Sequence, residues 1–194
     1  MSPAPASPSR PSVLDGLRVL DLSRVLAGPL CAQMLADHGA DVIKLEPPAG
    51  DETRRLGPPF DAQGNAAYFG ATNRGKRGIG LDLTKRAGQD VLRRLIEHAD
   101  VLLENSLPGT MARWGLDYAS LESDYPRLVY CSISGFGADG PFGGLPGYDA
   151  VAQALGGTMS LTGTPEIGAV RTAIPTADIL AAHNAFAGIL LALT

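Results

Sequence analysis

Apolar positions along the chain fall into short dense runs separated by longer amphipathic ones. RVLDL (residues 18–22), DVIKLE (41–46), IGLDL (79–83), DVLLEN (100–105) and RLVYCSIS (127–134) are rich in Val, Ile and Leu and are bounded by turn residues, so each predicts a strand. PLCAQMLADHG, KRAGQDVLRRLIEHA, PGTMARWG and YDAVAQALGG lie between or after them and predict helices. Pro29 stands near the first turn of the first helix and Gly39 at its end. Thr84 stands where it can cap the helix that follows it, and Thr176 where it can cap a last helix running to the end of the chain. Residues 47–78, rich in Gly, Pro and charge, predict a long loop. Strands alternating with helices at this spacing predict an α/β fold with an open, mostly parallel sheet and helices on both faces.

Composition narrows the possibilities. The 194 residues suffice for one domain. The opening MSPAPASPSRPSV has no apolar core like a secretory signal, so residues 1–13 predict a disordered tail and residues 14–194 the domain. The apolar run 179–194 is shorter than a membrane span and is broken by His183 and Asn184, which predicts a buried helix and no membrane. It stops without a cap or polar tail, as a chain cut from a longer one would. A net charge of −4 argues against nucleic acid as a partner. Cys31 and Cys131 lie in apolar surroundings and read as buried, reduced thiols of a cytoplasmic protein. His38, His98 and His183 have no metal-like spacing, so no metal is expected.

Several motifs suggest chemistry. GFGADG (135–140) matches the spacing of a dinucleotide fingerprint, but Pro141, Gly143, Gly144 and Pro146 follow where a helix is required, which argues against NAD. Ser134 in SISGF lacks the glycine two positions before it that a hydrolase elbow needs. NRGKRG (73–78) reads either as a phosphate-holding cluster or as a solvated loop. Leu81, Asp82, Leu83 and Thr84 close one strand, and ENSLPG follows another. Such carboxyl edges bind ligands in open α/β sheets, so the two edges predict one nucleotide-sized crevice. Asp178 falls in the first turn of the last helix, where the dipole favours a carboxylate and would keep it ionised. Ala181 and Ala182, one turn on, leave space beside it. Capping alone accounts for such a residue; a nucleophile is the other reading. His183 lies about 140° around the helix from Asp178, so it predicts a buried or interfacial side chain rather than a partner base.

Taken in order, LDGLRVLDLSRVLAGP, ADHGADVIKLEPPAGDETR, NRGKRGIGLDLTKRAGQDVLRRLIEHADVLLEN, PGTMARWGLDY, SISGFGADGP, GYDAVAQALGG and ADILAAHNAFAGILLAL resemble the N-terminal half of the family III CoA-transferases, from about Leu14 onward. That group includes formyl-CoA transferase, the carnitine CoA-transferase and, as a branch, α-methylacyl-CoA racemase. The resemblance implies a Rossmann-like large domain with acyl-CoA and a carboxylic acid as substrates and no tightly bound cofactor. It makes Asp178 the catalytic nucleophile, forming first an acyl–aspartyl anhydride and then an aspartyl-CoA thioester. It implies CoA contacts at Val25, Leu26, Ala27, Leu81, Asp82, Leu83, Thr84, Asn105, Ser106, Leu107 and Arg113, with Tyr148 lining the acyl pocket.

Departures from relatives refine the expectation. Formyl-CoA transferase has glutamine at the position of Leu26, arginine at that of Pro47 and phenylalanine-glycine at those of Ser106 and Leu107, which argues against oxalate and formate. The racemase branch has a histidine where GYD carries Tyr148, and tyrosine, with an ordinary pKa near 10, is a poor two-way proton shuttle. The transferase reading is therefore preferred to a 2-methylacyl-CoA racemase. Family members are about twice as long and form interlocked homodimers, so a half-length, inactive CoA-binding fragment is the remaining alternative.

Overall fold

The computed structural model describes residues 12–194. The first eleven residues of the expected tail therefore lie outside the described residues. Five strands, β1 (Arg18–Asp21), β2 (Asp41–Glu46), β3 (Arg77–Gly80), β4 (Val101–Glu104) and β5 (Val129–Ser132), form one parallel sheet in the order β3-β2-β1-β4-β5. Helices α1 (Ala27–Asp37), α2 (Ala67–Asn73), α3 (Arg86–Ile96), α4 (Thr110–Arg113), α5 (Tyr118–Leu121) and α6 (Asp149–Leu155) follow their strands, and α7 (Thr176–Ala192) ends the chain. A short antiparallel hairpin, β6 (Gly163–Thr164) with β7 (Gly168–Ala169), separates α6 from α7. No helix among the described residues is long and apolar enough to cross a membrane.

The strands are apolar on consecutive positions because both faces of the sheet are covered. Val19, Val101 and Leu103 point to a cluster with Cys31, Ala32 and Leu35 of α1 and Ala182 and Ile189 of α7. Leu20 and Leu102 point the other way, to Leu92 and Ile96 of α3, Met111 of α4 and Leu121 of α5. The alternating α/β fold expected from the sequence is thus the fold observed. Cys31 is buried and Cys131 half-buried, both as thiols, and burial raises the pKa of Cys131 to about 11.

Each strand at the centre of the sheet ends in a carboxylate that folds back the loop after it. Asp21 accepts the backbone N–H of Ser23 at 3.0 Å, Glu46 that of Asp51 at 2.8 Å, and Glu104 that of Ser106 at 2.7 Å. The Asp21 carboxylate is fully buried and also accepts the Ser23 hydroxyl. Lys76 donates to it at 2.8 Å, as well as to the Pro29 carbonyl and Asn73 Oδ1 at the same distance. Lys44, inside β2, lies 4.0 Å from Asp21 and 3.2 Å from Asp51, and donates to the Ser23 carbonyl at 2.7 Å. Burial works against the charge on Asp21. Lys76, Lys44 and the hydrogen bonds nevertheless hold its pKa below the ordinary carboxylate value.

This arrangement corrects several expectations. NRGKRG, open between a phosphate-holding cluster and a solvated loop, has its lysine buried: Lys76 is committed to Asp21, while Arg74 and Arg77 stay exposed and make two-pronged contacts with Asp37 and Asp41. Strand β3 starts and ends earlier than IGLDL, because Arg77 to Gly80 pair with Ile43 to Glu46, after which Pro47 can offer no N–H to the ladder. Thr84 does not cap α3. Its N–H and hydroxyl both go to Asp82 Oδ1, at 3.0 and 2.6 Å, in a local turn, and Lys85 precedes the helix without a side-chain cap. The expected loop 47–78 contains a 3-10 turn (Glu52–Arg55) and α2. It is tied down by Arg54, which pairs with Glu46 through two 2.7 Å bonds and lies 3.7 Å over the Phe69 ring.

Replacing Lys76 by methionine removes one partner of a buried pair and should cost about 3–5 kcal/mol, whereas Arg74→Ala or Arg77→Ala should cost no more than about 1 kcal/mol. Urea denaturation of the three variants checks the ranking. Equal effects would show that Lys76 is not structural. Because the Asp21 pKa is depressed in the folded state, the stabilisation it carries is present above its unfolded value and should disappear only as pH falls below about 4.

Candidate functional site

The strand order reverses direction between β1 and β4, and in open α/β sheets the loops leaving two such strands diverge to leave a crevice. Here they are joined at its base. The Asn105 side chain accepts the Arg24 N–H and donates to the Arg24 carbonyl, both at 2.7 Å. Val25 follows in the left-handed region (φ 68°), an uncommon state for a β-branched residue that marks a constrained turn. The turn brings α1 back against β1 so closely that a Cβ on Gly28 would lie 2.2 Å from that of Ser23. Gly135 and Gly147 likewise touch backbone to backbone, which leaves no room for a side chain at Gly135. The first glycine of GFGADG thus serves a loop crossing that sets Tyr148 and α6 in place.

A cleft of about 250 Å³ opens above this base. Val25, Leu26, Ala27, Asn105, Ser106, Leu107, Tyr148 and Asp178 all line it, so most of the residues singled out in the sequence meet at one place. Asp178 sits in the first turn of α7, as expected, but Thr176 is the first helical residue and caps nothing. The cap comes from another helix: the Asp149 carboxylate, 8% exposed, accepts the Ala177 N–H at 2.9 Å and the Gln153 amide at 2.7 Å. Gln153 in turn accepts the Thr172 N–H at 2.8 Å, fixing the approach to α7. Burial and then the Asp149 charge raise the Asp178 pKa above the ordinary carboxylate value. Ala181 lines the cleft, but Ala182 is fully buried in the core. His183 is exposed and bonded to the Ile179 carbonyl at 2.8 Å, neither buried nor directed to Asp178.

A second cavity, about 260 Å³, adjoins the first along Arg24, Ser106 and Leu107. Leu81, Asp82, Leu83 and Thr84 line it together with Met111 and Trp114, as the two-edge crevice predicted. Arg113 belongs to neither lining; it is exposed and donates to Thr110 Oγ1 at 3.1 Å. Sequence reasoning missed Arg24, Glu52 and Asp149 as lining residues. Asp149 left a signal, an acidic residue at a predicted helix start, but its target on α7 lies 28 residues away. Glu52 lies in the segment that the sequence predicts as a long loop.

A parallel sheet with a carboxylate lining a cleft at its reversal point, and a second cavity beside it, defines an α/β domain with a small-molecule crevice at the carboxyl edge of its strands. The chain belongs to CoA-transferase family III, whose family model matches residues 14–194. It is 50% identical over 178 residues to a succinate–glutarate CoA-transferase of Agrobacterium fabrum, covering 89% of this chain and 44% of that protein. It is 42% identical to a succinyl-CoA–D-citramalate CoA-transferase of Chloroflexus aurantiacus, covering 96% and 46% respectively. Among solved structures, a CAIB/BAIF family protein from Brucella suis superposes with a TM-score of 0.91 at 47% identity, covering 95% of this chain and 50% of that one. The chain thus spans about half the length of these relatives or less.

If the Asp149 charge raises the Asp178 pKa, Asp149→Asn should lower it while leaving an acceptor for the Ala177 N–H. A carbon-13 titration of the Asp178 carboxyl checks this, and an unchanged or higher midpoint would refute the coupling. The raised pKa also means that ionised Asp178 costs stability at neutral pH, a cost relieved as pH falls through the folded pKa. Asp178→Asn should accordingly raise the melting temperature at pH 7, and less so in acid.

Proposed function

We propose that this chain carries the CoA site and the nucleophile of an acyl-CoA:carboxylate CoA-transferase. One observation supports this above the others: Asp178 faces a cleft that runs into the cavity lined by Leu81, Asp82, Leu83 and Thr84, so nucleotide and thioester ends of one CoA molecule have adjoining places. In this reading the Asp178 carboxylate attacks the thioester carbonyl and CoA leaves as the thiolate, giving an acyl–aspartyl anhydride. The thiolate attacks the aspartyl carbonyl, releasing the first acid and leaving an aspartyl-CoA thioester. The acceptor carboxylate then attacks that thioester, and the returning thiolate takes the new acyl group and frees Asp178. A carboxylate with a raised pKa is the more basic and hence the better nucleophile at neutral pH. Held against the bound thioester, it also gains from proximity.

The relatives above are named for succinate and glutarate, and for succinyl-CoA and D-citramalate, so we take short dicarboxylates as the acids exchanged. We assign Tyr148, 69% exposed and lining the cleft, to the acyl pocket. We extend the reading to a cytoplasmic homodimer. Leu155, Leu161, Leu180 and Leu191 are each more than half exposed, as apolar groups awaiting further contacts would be.

Intact-mass analysis after incubation with succinyl-CoA, followed by hydroxylamine trapping and peptide mapping, tests the proposal. An adduct on Asp178 is expected, together with loss of turnover by about 10⁴-fold or more in Asp178→Ala. Turnover surviving that substitution would overturn the assignment. Incorporation of deuterium at the α-carbon without an acceptor would replace it with a racemase.

A further inference from the structure

The cleft around Asp178 is strongly acidic. Glu52, Asp149 and Asp178 contribute carboxylates to it, and Arg24 is the one cation among its described lining residues. A dicarboxylic acid brings a second negative charge into this cleft, remote from the reacting carboxyl. Without a cation to receive it, that charge would meet only repulsion and partial desolvation.

Arg24 is built to receive it. Its backbone is held on both sides by Asn105, so the side chain starts from a fixed point. Its side chain is 51% exposed, and Nη1 lies 3.9 Å from Glu52 Oε1, too far for a hydrogen bond. The guanidinium is therefore oriented by Glu52 without having its donors occupied. Arg24 borders both cavities, and Glu52, 3.9 Å from its Nη1, lines only the Asp178 cleft.

We propose that Arg24 is the specificity-determining residue that binds the distal carboxylate of the acyl group and of the acceptor. The inference rests on the transferase reading above. A planar guanidinium can take that carboxylate through two parallel hydrogen bonds, and Glu52 yields its loose contact as it does so. A monocarboxylate of the same length would leave the fork without a partner, which is how a site built for a polar group rejects the analogue lacking it.

Calorimetric titration of CoA, succinyl-CoA and butyryl-CoA into wild-type protein, Arg24→Met and Glu52→Gln tests this without requiring turnover. Wild type should favour succinyl-CoA over butyryl-CoA by at least about tenfold. Arg24→Met should abolish the preference and leave CoA affinity within about twofold, because the Asn105 contacts are to backbone and the fold is retained. Glu52→Gln should sharpen the preference severalfold by releasing the guanidinium. A wild type without preference, or an Arg24→Met protein that keeps it, would overturn the inference. A CoA affinity falling as much as that of succinyl-CoA would overturn it too, by placing Arg24 on the CoA phosphates. If wild type binds none of the three, the CoA reading of the site fails first, and that result is distinct from CoA binding without discrimination.

Discussion

The buried charges at the carboxyl edge of the sheet are the constraint from which the site follows. Asp21, Lys76, Lys44 and Asp51 form a nearly dry group in which two positive charges offset two negative ones. Isolated, any one of them would be costly to bury. Together they join β1, β2, the start of α1 and the segment before β3. The Ser23 turn and the start of α1 are held by that group, and the cleft opens directly above them.

On this base the structure places a second set of charges under less compensation. Asp178 is partly buried beside Asp149, whose carboxylate caps α7 and raises the Asp178 pKa. Asp21 and Glu46 are paired with Lys76 and Arg54, while Asp178 has no ion pair among the described residues and reduces stability when ionised. Functional sites commonly carry such a cost because their groups must meet a substrate rather than one another. Arg24 is likewise only loosely paired, 3.9 Å from Glu52.

Much of the frame was legible in the chain itself. The alternation of short Val, Ile and Leu runs with amphipathic segments identified all five sheet strands, and β2 to its boundaries. The crevice between LDLT and ENSLPG was legible because ligand sites at strand ends follow from α/β topology. Asp178 stood out because an acid opening an apolar helix is conspicuous. The capping assignments for Thr84 and Thr176 went astray for one reason: nearby or distant carboxylates took over, Asp82 for the turn at Thr84 and Asp149 for the α7 terminus. The role of the basic cluster stayed open in the sequence because a lysine's sequence neighbours do not reveal which carboxylate it will reach.

The sequence by itself determined the element types, the parallel two-faced sheet and the likeness to a family, since these depend on local periodicity and on motifs contiguous in the chain. Only the tertiary structure decided which charges are spent and which remain open. Lys76 meets Asp21 across 55 residues, Asn105 grips Arg24 across 81, and Asp149 caps α7 across 28. Coulomb and hydrogen-bond energies depend on distance in space and on burial. A carboxylate's role as cap, counter-ion or nucleophile is therefore settled by the fold that surrounds it.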